Sequence, residues 1–226
     1  MTSEVFNTDC LEYMRTLPDK AFELAIADPP YGIGCDGKIG ADHRGKCGDY
    51  TQKEWDSEAP AKEWFDELLR ISENQIIWGA NHFISRVPVD SPCWIVWDKK
   101  NSGNFADAEL AWTSFPTAVR IFSYRWNGML QENMAHKEER IHPTQKPVAL
   151  YAWLLNKFAK PGDRIFDPMM GSQSSRIAAY KMGFDYVGCE LDAEYFQKGC
   201  ERFNRECMGV TMLPNGKKVT EQSLFG

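Results

Sequence analysis

The chain has no apolar run approaching the roughly 18 residues that mark a membrane-spanning helix. Its opening, Met1-Thr2-Ser3-Glu4, lacks the basic-then-apolar layout of a signal peptide, so a soluble cytoplasmic protein with no membrane partner is expected. Its seven cysteines are an odd number with no C-x-x-C pair, which argues against a disulfide framework and against a zinc ribbon. Cys35, His43 and Cys47 fall in one stretch but lack a fourth ligand at metal spacing, and no metal is expected. Positive charge is also short: 26 Lys and Arg face 32 Asp and Glu, a net charge of -6. Phosphate binding then has to rely on local clusters. One is Lys38, His43, Arg44 and Lys46; a looser one is Arg120, Arg125, Lys137, Arg140 and Lys146. With no internal repeat and 226 residues, the chain reads as one domain, residues 1–226.

Strand-length apolar runs alternate with amphipathic stretches. Phe22–Ala27, Gln75–Trp78, Cys93–Trp97, Ala118–Tyr124, Arg164–Phe166 and Tyr186–Leu191 read as strands. Leu11–Leu17, Ala61–Ile71, Val148–Ala159, Ser174–Met182 and Ala193–Cys207 read as helices, the last capped by Asp192. This alternation predicts an α/β fold, a largely parallel sheet covered on both faces, with antiparallel pairing between about Ile95 and Tyr124. Two loops rich in glycine and charge, residues 32–56 and 127–141, are candidates for contact with a substrate, and Asn215-Gly216 predicts a small hairpin after Met208.

Three segments carry chemistry. Asp28-Pro29-Pro30-Tyr31 follows an apolar strand, where open α/β sheets place ligand loops. The prolines stiffen the backbone and lack N–H groups, leaving carbonyls as acceptors. Such a loop suits a base amine, a poor nucleophile whose lone pair is delocalised into the ring. Accepting its two N–H bonds, one at the Asp28 carboxylate and one at the Pro29 carbonyl, favours a pyramidal nitrogen. Tyr31 can stack on a base drawn out of a duplex, a contact of about 1–3 kcal/mol against a flipping cost of the same order.

The second segment, Asp167-Pro168-Met169-Met170-Gly171-Ser172-Gln173, joins a strand to a helix whose N-terminus suits a carboxylate. The following strand ends in Glu190, placed to bond ribose hydroxyls. Together they describe a nucleoside cofactor site. The third is a proline-bracketed polar loop, His142-Pro143-Thr144-Gln145-Lys146-Pro147.

In this order the segments resemble those of the DNA amino-methyltransferases, in the permuted arrangement that sets Asp-Pro-Pro-Tyr before the cofactor turn. The similarity runs from about Asn7 to Arg202 and includes Asn7-Thr8-Asp9-Cys10-Leu11, which is similar to the family's G-D-C-L element. The resemblance implies a single-domain Rossmann-like methyltransferase fold with a seven-stranded sheet, S-adenosyl-L-methionine as cofactor and double-stranded DNA as partner. It implies direct in-line transfer to a flipped base, with Asp28, Pro29, Pro30 and Tyr31 as catalytic residues. Asp9 and Cys10 would contact the cofactor's adenine, Thr144, Gln145 and Lys146 its methionine end. Asp28, Asp167, Met169, Gly171, Ser172, Glu190 and Leu191 would complete its site. Lys38, Arg44, Lys46, Arg125, Lys137 and Arg140 are the expected DNA contacts.

Two positions depart from the family's D-P-F-x-G-S-G-T turn: Met169 replaces the aromatic and Gln173 the second glycine, which bears on cofactor affinity. No long insertion serves as a target-recognition domain, so the loops must read a short target, or a homodimer must enlarge the surface. Asp at the tetrapeptide's first position, typical of the family's adenine enzymes, favours adenine N6. Cytosine N4, a non-catalytic DNA-binding homologue and methylation of a protein glutamine amide are the alternatives.

Overall fold

The computed structural model describes residues 1–33, 56–87, 90–101, 106–127, 130–212 and 218–220. Among these residues, eight strands form the main sheet: β1 (Ser3–Asn7), β2 (Phe22–Ala27), β3 (Ser72–Trp78), β4 (Trp94–Asp98), β5 (Ala108–Thr113), β6 (Arg120–Ser123), β9 (Arg164–Asp167) and β10 (Asp185–Glu190). Their order is β1-β10-β9-β2-β3-β5-β4-β6, and only β5 runs against its neighbours. A short β7–β8 ladder pairs Trp126–Asn127 with Leu130–Gln131. The expected hairpin after Met208 pairs β11 (Val210–Met212) with β12 (Lys218–Thr220); its Asn215-Gly216 turn lies outside the described residues.

The sheet has eight strands rather than seven. The two that the apolar pattern does not pick out are β1 and β5. Edge strand β1 has a half-exposed S-E-V-F-N sequence, and β5 begins with Ala, Glu and Leu, all good helix formers. Flanked by β3 and β4, β5 gains its stability from cross-strand pairing such as Trp78 with Ala111 and Trp94 with Trp112. The antiparallel pairing expected in this region is the work of that one strand.

The helices are α1 (Cys10–Arg15), α2 (Lys62–Ile71), α3 (Val148–Phe158), α4 (Ser174–Met182) and α5 (Ala193–Met208). Local signals set their ends. Asp9 accepts the Leu11 and Glu12 N–H groups at the start of α1, and Asp192 accepts those of Glu194 and Tyr195 at the start of α5. Gly183 and Gly209 end α4 and α5 in the left-handed conformation. In α2, buried Trp64, Phe65, Leu68 and Ile71 recur at helical spacing.

Alternation along the central strands builds a core on each face. Leu24, Ile26, Ile76, Trp78, Ile165 and Tyr186 pack with α3 and α4 on one side. Ala25, Ile77, Phe166 and Val187 pack with α1 and α2 on the other. The chain leaves β2 outward to β3 and leaves β9 the opposite way to β10, so strand order reverses between β2 and β9. Asp28 follows one of these strands and Asp167 ends the other. A doubly wound sheet opens a ligand crevice at such a reversal.

Candidate active site

Asp28 leaves the end of β2 as the centre of a charged cluster. Its Oδ1 accepts from the Lys146 ammonium at 2.5 Å and from the Tyr31 hydroxyl at 2.9 Å. Lys146 also lies 3.1 Å from Glu109 Oε2 and 3.2 Å from the Tyr31 oxygen. Glu109, on β5, receives Lys99 as a second ion pair. Two lysines and two carboxylates thus balance in a site where the Lys146 side chain is 4% exposed and Asp28 17%. Among the described residues nothing bonds Asp28 Oδ2.

Tyr31 is held at several points. Its N–H and that of Gly32 donate to the buried Asp56 Oδ1 at 2.7 and 3.0 Å. Its ring stacks on His82 at 5.2 Å and lies against Gly79, where a Cβ would fall 2.1 Å from Tyr31 Cε1. Gly79 is left-handed at φ +69, a conformation in which L side chains are strained. The expected base-stacking tyrosine is therefore tied back to the carboxylate in this state, with His82 on its ring.

Burial raises the Asp28 carboxyl above its ordinary range; Lys146 draws it back down and Glu109 pushes it up. Burial also disfavours the carboxylate of Glu109, but Lys146 and Lys99 outweigh it and bring the group down to about 2. Desolvation acts against the Lys146 ammonium, and Asp28 and Glu109 more than offset it, so that this pKa rises. Burial, reinforced by Asp28 and Glu109, keeps the Tyr31 phenol protonated. The cluster therefore holds a stable ammonium beside an acceptor.

Across the crevice lies the other half of the site. Gly171, at φ +45, donates its N–H to Glu190 Oε2 at 2.8 Å, while Glu190 Oε1 takes the Asp192 N–H at 2.9 Å. Asn7 Nδ2 bonds the carbonyls of Glu190 and Leu191, joining the ends of β1 and β10. The sheet thereby brings Asp9, Gly171, Glu190 and Leu191 to one edge. Leu191 is 71% exposed there, an apolar surface beside the acid. Ser172 is buried, its hydroxyl against that of Ser174, and Met169 is half-buried against the α1 and α2 core.

Three expected cofactor residues face elsewhere. Asp167 turns inward, accepting the Ser175 hydroxyl at 2.5 Å and the Met169 N–H at 3.0 Å, and burial lifts its carboxyl to about 7 against the pull of those bonds. The Cys10 thiol is buried and accepts from Trp64 Nε1 at 3.2 Å, so only its backbone remains for an adenine; burial raises this thiol to about 11. Gln145 is buried with its side-chain amide spent on loop backbone, Oε1 accepting from Ile141 N and Nε2 donating to Glu139 O, while its backbone carbonyl accepts from the Trp126 indole. Dense polar sequence here reflects a loop braced from within. Of its neighbours, Thr144 bonds His142 Nδ1, His142 lies over Gly171, and Lys146 reaches Asp28.

The departure at Gln173 has a physical resolution. It adopts the left-handed conformation that a glycine would, at φ 60 and ψ 26. Its side chain leaves the crevice and interlocks with α5, where a Cβ on Gly199 would lie 2.7 Å from Gln173 Cγ. Its amide bonds the Phe196 carbonyl at 3.3 Å and Arg176 at 2.9 Å. Gln173 thus braces the turn and does not fill the cofactor crevice.

Of the expected DNA contacts, Arg125 and Lys137 are exposed, whereas Arg140 is half-buried, donating to the Pro143 carbonyl and lying 6.0 Å over the Trp126 ring. Lys38, Arg44 and Lys46, with most of the 32–56 loop and with Cys35, His43 and Cys47, lie outside the described residues. Glu109, Asp56, His82 and Arg202 were not legible as site residues. Arg202 is completely buried in α5 and pairs with Glu138 and Glu206 while bonding Ser172 O and Ser174 Oγ. It anchors the start of α4.

A doubly wound sheet with one reversed strand, an Asp-Pro-Pro-Tyr loop at its switch point and an acid beyond the neighbouring turn define a Rossmann-like methyltransferase. The family model described as DNA methylase (N6/N4) matches residues 77–201, more than half of the chain, and the chain belongs to that family. It is 27% identical over 217 residues to the putative methylase YubD of Escherichia coli K12, covering 88% of this chain and 89% of that one. It is 25% identical over 240 residues to the type II methyltransferase M.HinfI of Haemophilus influenzae, covering 84% of this chain and 65% of that enzyme. Among solved structures, the putative DNA modification methylase TTHA0409 of Thermus thermophilus, complexed with S-adenosyl-L-methionine, superposes with a TM-score of 0.59 at 19% identity. That likeness covers 92% of this chain and 96% of that one.

Proposed function

We propose that this DNA methylase transfers a methyl group from S-adenosyl-L-methionine to the exocyclic N6 of adenine in double-stranded DNA. The observation that carries the reading is the bonding of Asp28. Lys146 and Tyr31 converge on Oδ1, and Oδ2 has no partner among the described residues. A carboxylate fixed in this way presents a charged acceptor to an incoming N–H without reorganising, and the Pro29 carbonyl is the second acceptor. Accepting both amine protons turns the nitrogen lone pair out of the base ring. Tyr31 must leave His82 and Gly79, or keep them behind it, as a flipped base stacks against it.

The residues at the crevice fit the cofactor. Glu190 offers its carboxylate to ribose hydroxyls, Leu191 its exposed apolar surface to a purine, and Gly171 a left-handed turn with no side chain. The α4 N-terminus and Thr144 suit an amino-acid carboxylate. Gln173, turned into α5, leaves that space open. When bound, the cofactor would supply an electrophilic methyl on a sulfonium. The protein's part is to seat the donor, flip the base and hold its amine.

The aspartate at position 28 supports adenine by family pattern, and the same carboxylate would accept from the N4 amine of cytosine. Methylating unmethylated plasmid DNA with labelled cofactor and digesting it to nucleosides decides between them. N6-methyladenine is the expected product; N4-methylcytosine alone overturns the adenine assignment. Arg125 and Lys137 are proposed DNA contacts; a homodimer that enlarges the DNA surface and a cytoplasmic setting are further parts of this reading.

A further inference from the structure

We propose that Glu109 is a positioning residue for methyl transfer: it holds the Lys146 ammonium between two carboxylates so that Asp28 keeps its Oδ2 turned to the base amine. This rests on the reading of Asp28 as the amine's acceptor. Lys146 has three protons and three partners within 3.2 Å, namely Asp28 Oδ1, Glu109 Oε2 and the Tyr31 oxygen. Its aliphatic stem is enclosed, with the ammonium 5.6 Å from the Trp78 ring and 5.5 Å from that of Tyr31. Among the described residues, only the two carboxylates balance it.

Glu109 comes from the reversed strand β5, and its Oε2 lies 3.1 Å from the Lys146 ammonium and 3.4 Å from the Tyr31 hydroxyl. Lys99, stacked 4.9 Å over Trp97, pins the other oxygen of Glu109. Glu109 is thus a fixed post. Without it, Lys146 has one carboxylate left, and a mobile ammonium beside Asp28 is free to cross to Oδ2 and compete with the base for that acceptor. Bound to both, it stays on the Oδ1 side. The acid on β5 therefore aims the carboxylate after β2 through a lysine from a third segment, without touching substrate.

The test is steady-state methyl transfer into plasmid DNA from a methylation-deficient host, with cofactor dissociation constants measured alongside. Glu109→Gln keeps the shape and removes the charge. The expected result is a fall in kcat of about 10- to 100-fold, the scale of an ångström-level misplacement, with cofactor binding unchanged. Glu109→Asp should restore part of the rate. A double-mutant cycle separates positioning from general support of the fold. In a Lys146→Met background, Glu109→Gln should cost no further rate, because the residue it acts through is gone. An equal loss in both backgrounds, or wild-type kcat in Glu109→Gln, overturns the assignment of Glu109. Asp28→Ala run beside them isolates the underlying reading: its full activity would remove the acceptor itself, whereas its inactivity beside a normal Glu109→Gln sinks the Glu109 role alone.

Discussion

Replacing Gly79 with alanine tests the packing of Tyr31. The added Cβ would sit 2.1, 2.4 and 2.5 Å from Tyr31 Cε1, Cδ1 and Cζ, where carbon pairs normally rest about 3.5–4.0 Å apart. Gly79 cannot easily retreat, since its N–H donates to Leu110 O at 2.8 Å and its carbonyl takes the His82 N–H at 2.9 Å. The displacement falls on the Tyr31 ring, which must move by more than an ångström and surrender its bond to Asp28. The left-handed φ costs about 1–2 kcal/mol for a residue with a Cβ, and a lost bond to a charged group about 1.5–3 kcal/mol. Together the variant should lose roughly 3–5 kcal/mol in urea unfolding. Methyl transfer to DNA should fall with it, by about 10- to 100-fold in kcat/KM if the stacking contact is lost. In a Tyr31→Ala background the clash is absent and only the backbone strain should remain. A loss as large in that background as in the wild type would refute the reasoning.

Arg202→Leu should cost about 3–5 kcal/mol of stability, because it strands the largely buried Glu138 and frees the start of α4; chemical denaturation beside Glu138→Gln measures it. Asp167 titrates at about 7 in the fold against 3.8 ordinarily, so between those values the folded protein holds a proton that the unfolded chain has released. Its contribution to stability therefore falls as pH rises from about 4 to 7, by roughly 4 kcal/mol in total, and unfolding at pH 5 and pH 8 should show that slope flattened in Asp167→Asn. Gly199→Ala gains about 1 kcal/mol of helix propensity but meets Gln173 at 2.7 Å. Cofactor affinity should drop in calorimetry and recover when Gln173→Gly is added.

The apolar runs of β2, β3, β9 and β10 are legible because strands buried on both faces admit little else, and their order places Asp28 and Asp167 at one crevice. What escapes the sequence is set by pairing across distance. The A-E-L-A-W-T stretch of β5 has mixed propensity and becomes a strand only between β3 and β4, so Glu109 could not be placed beside Lys146. Arg202 looks like the polar face of an amphipathic helix, yet it is completely buried. Gln145 reads as a ligand group and is a brace, since side-chain amides satisfy loop backbone as readily as substrates. Gln173 looks like a defect in a glycine turn and is matched by Gly199, twenty-six residues later.

The central claim is that Asp28 receives the amine of a base in DNA. Single-turnover transfer of labelled methyl from S-adenosyl-L-methionine to unmethylated double-stranded DNA tests it most directly, with wild type and Asp28→Ala compared and cofactor binding measured on both. The account predicts label in the DNA of the wild-type reaction, none in that of the variant, and nearly equal cofactor affinities. Transfer at the wild-type rate by Asp28→Ala, or loss of its cofactor binding, would contradict it.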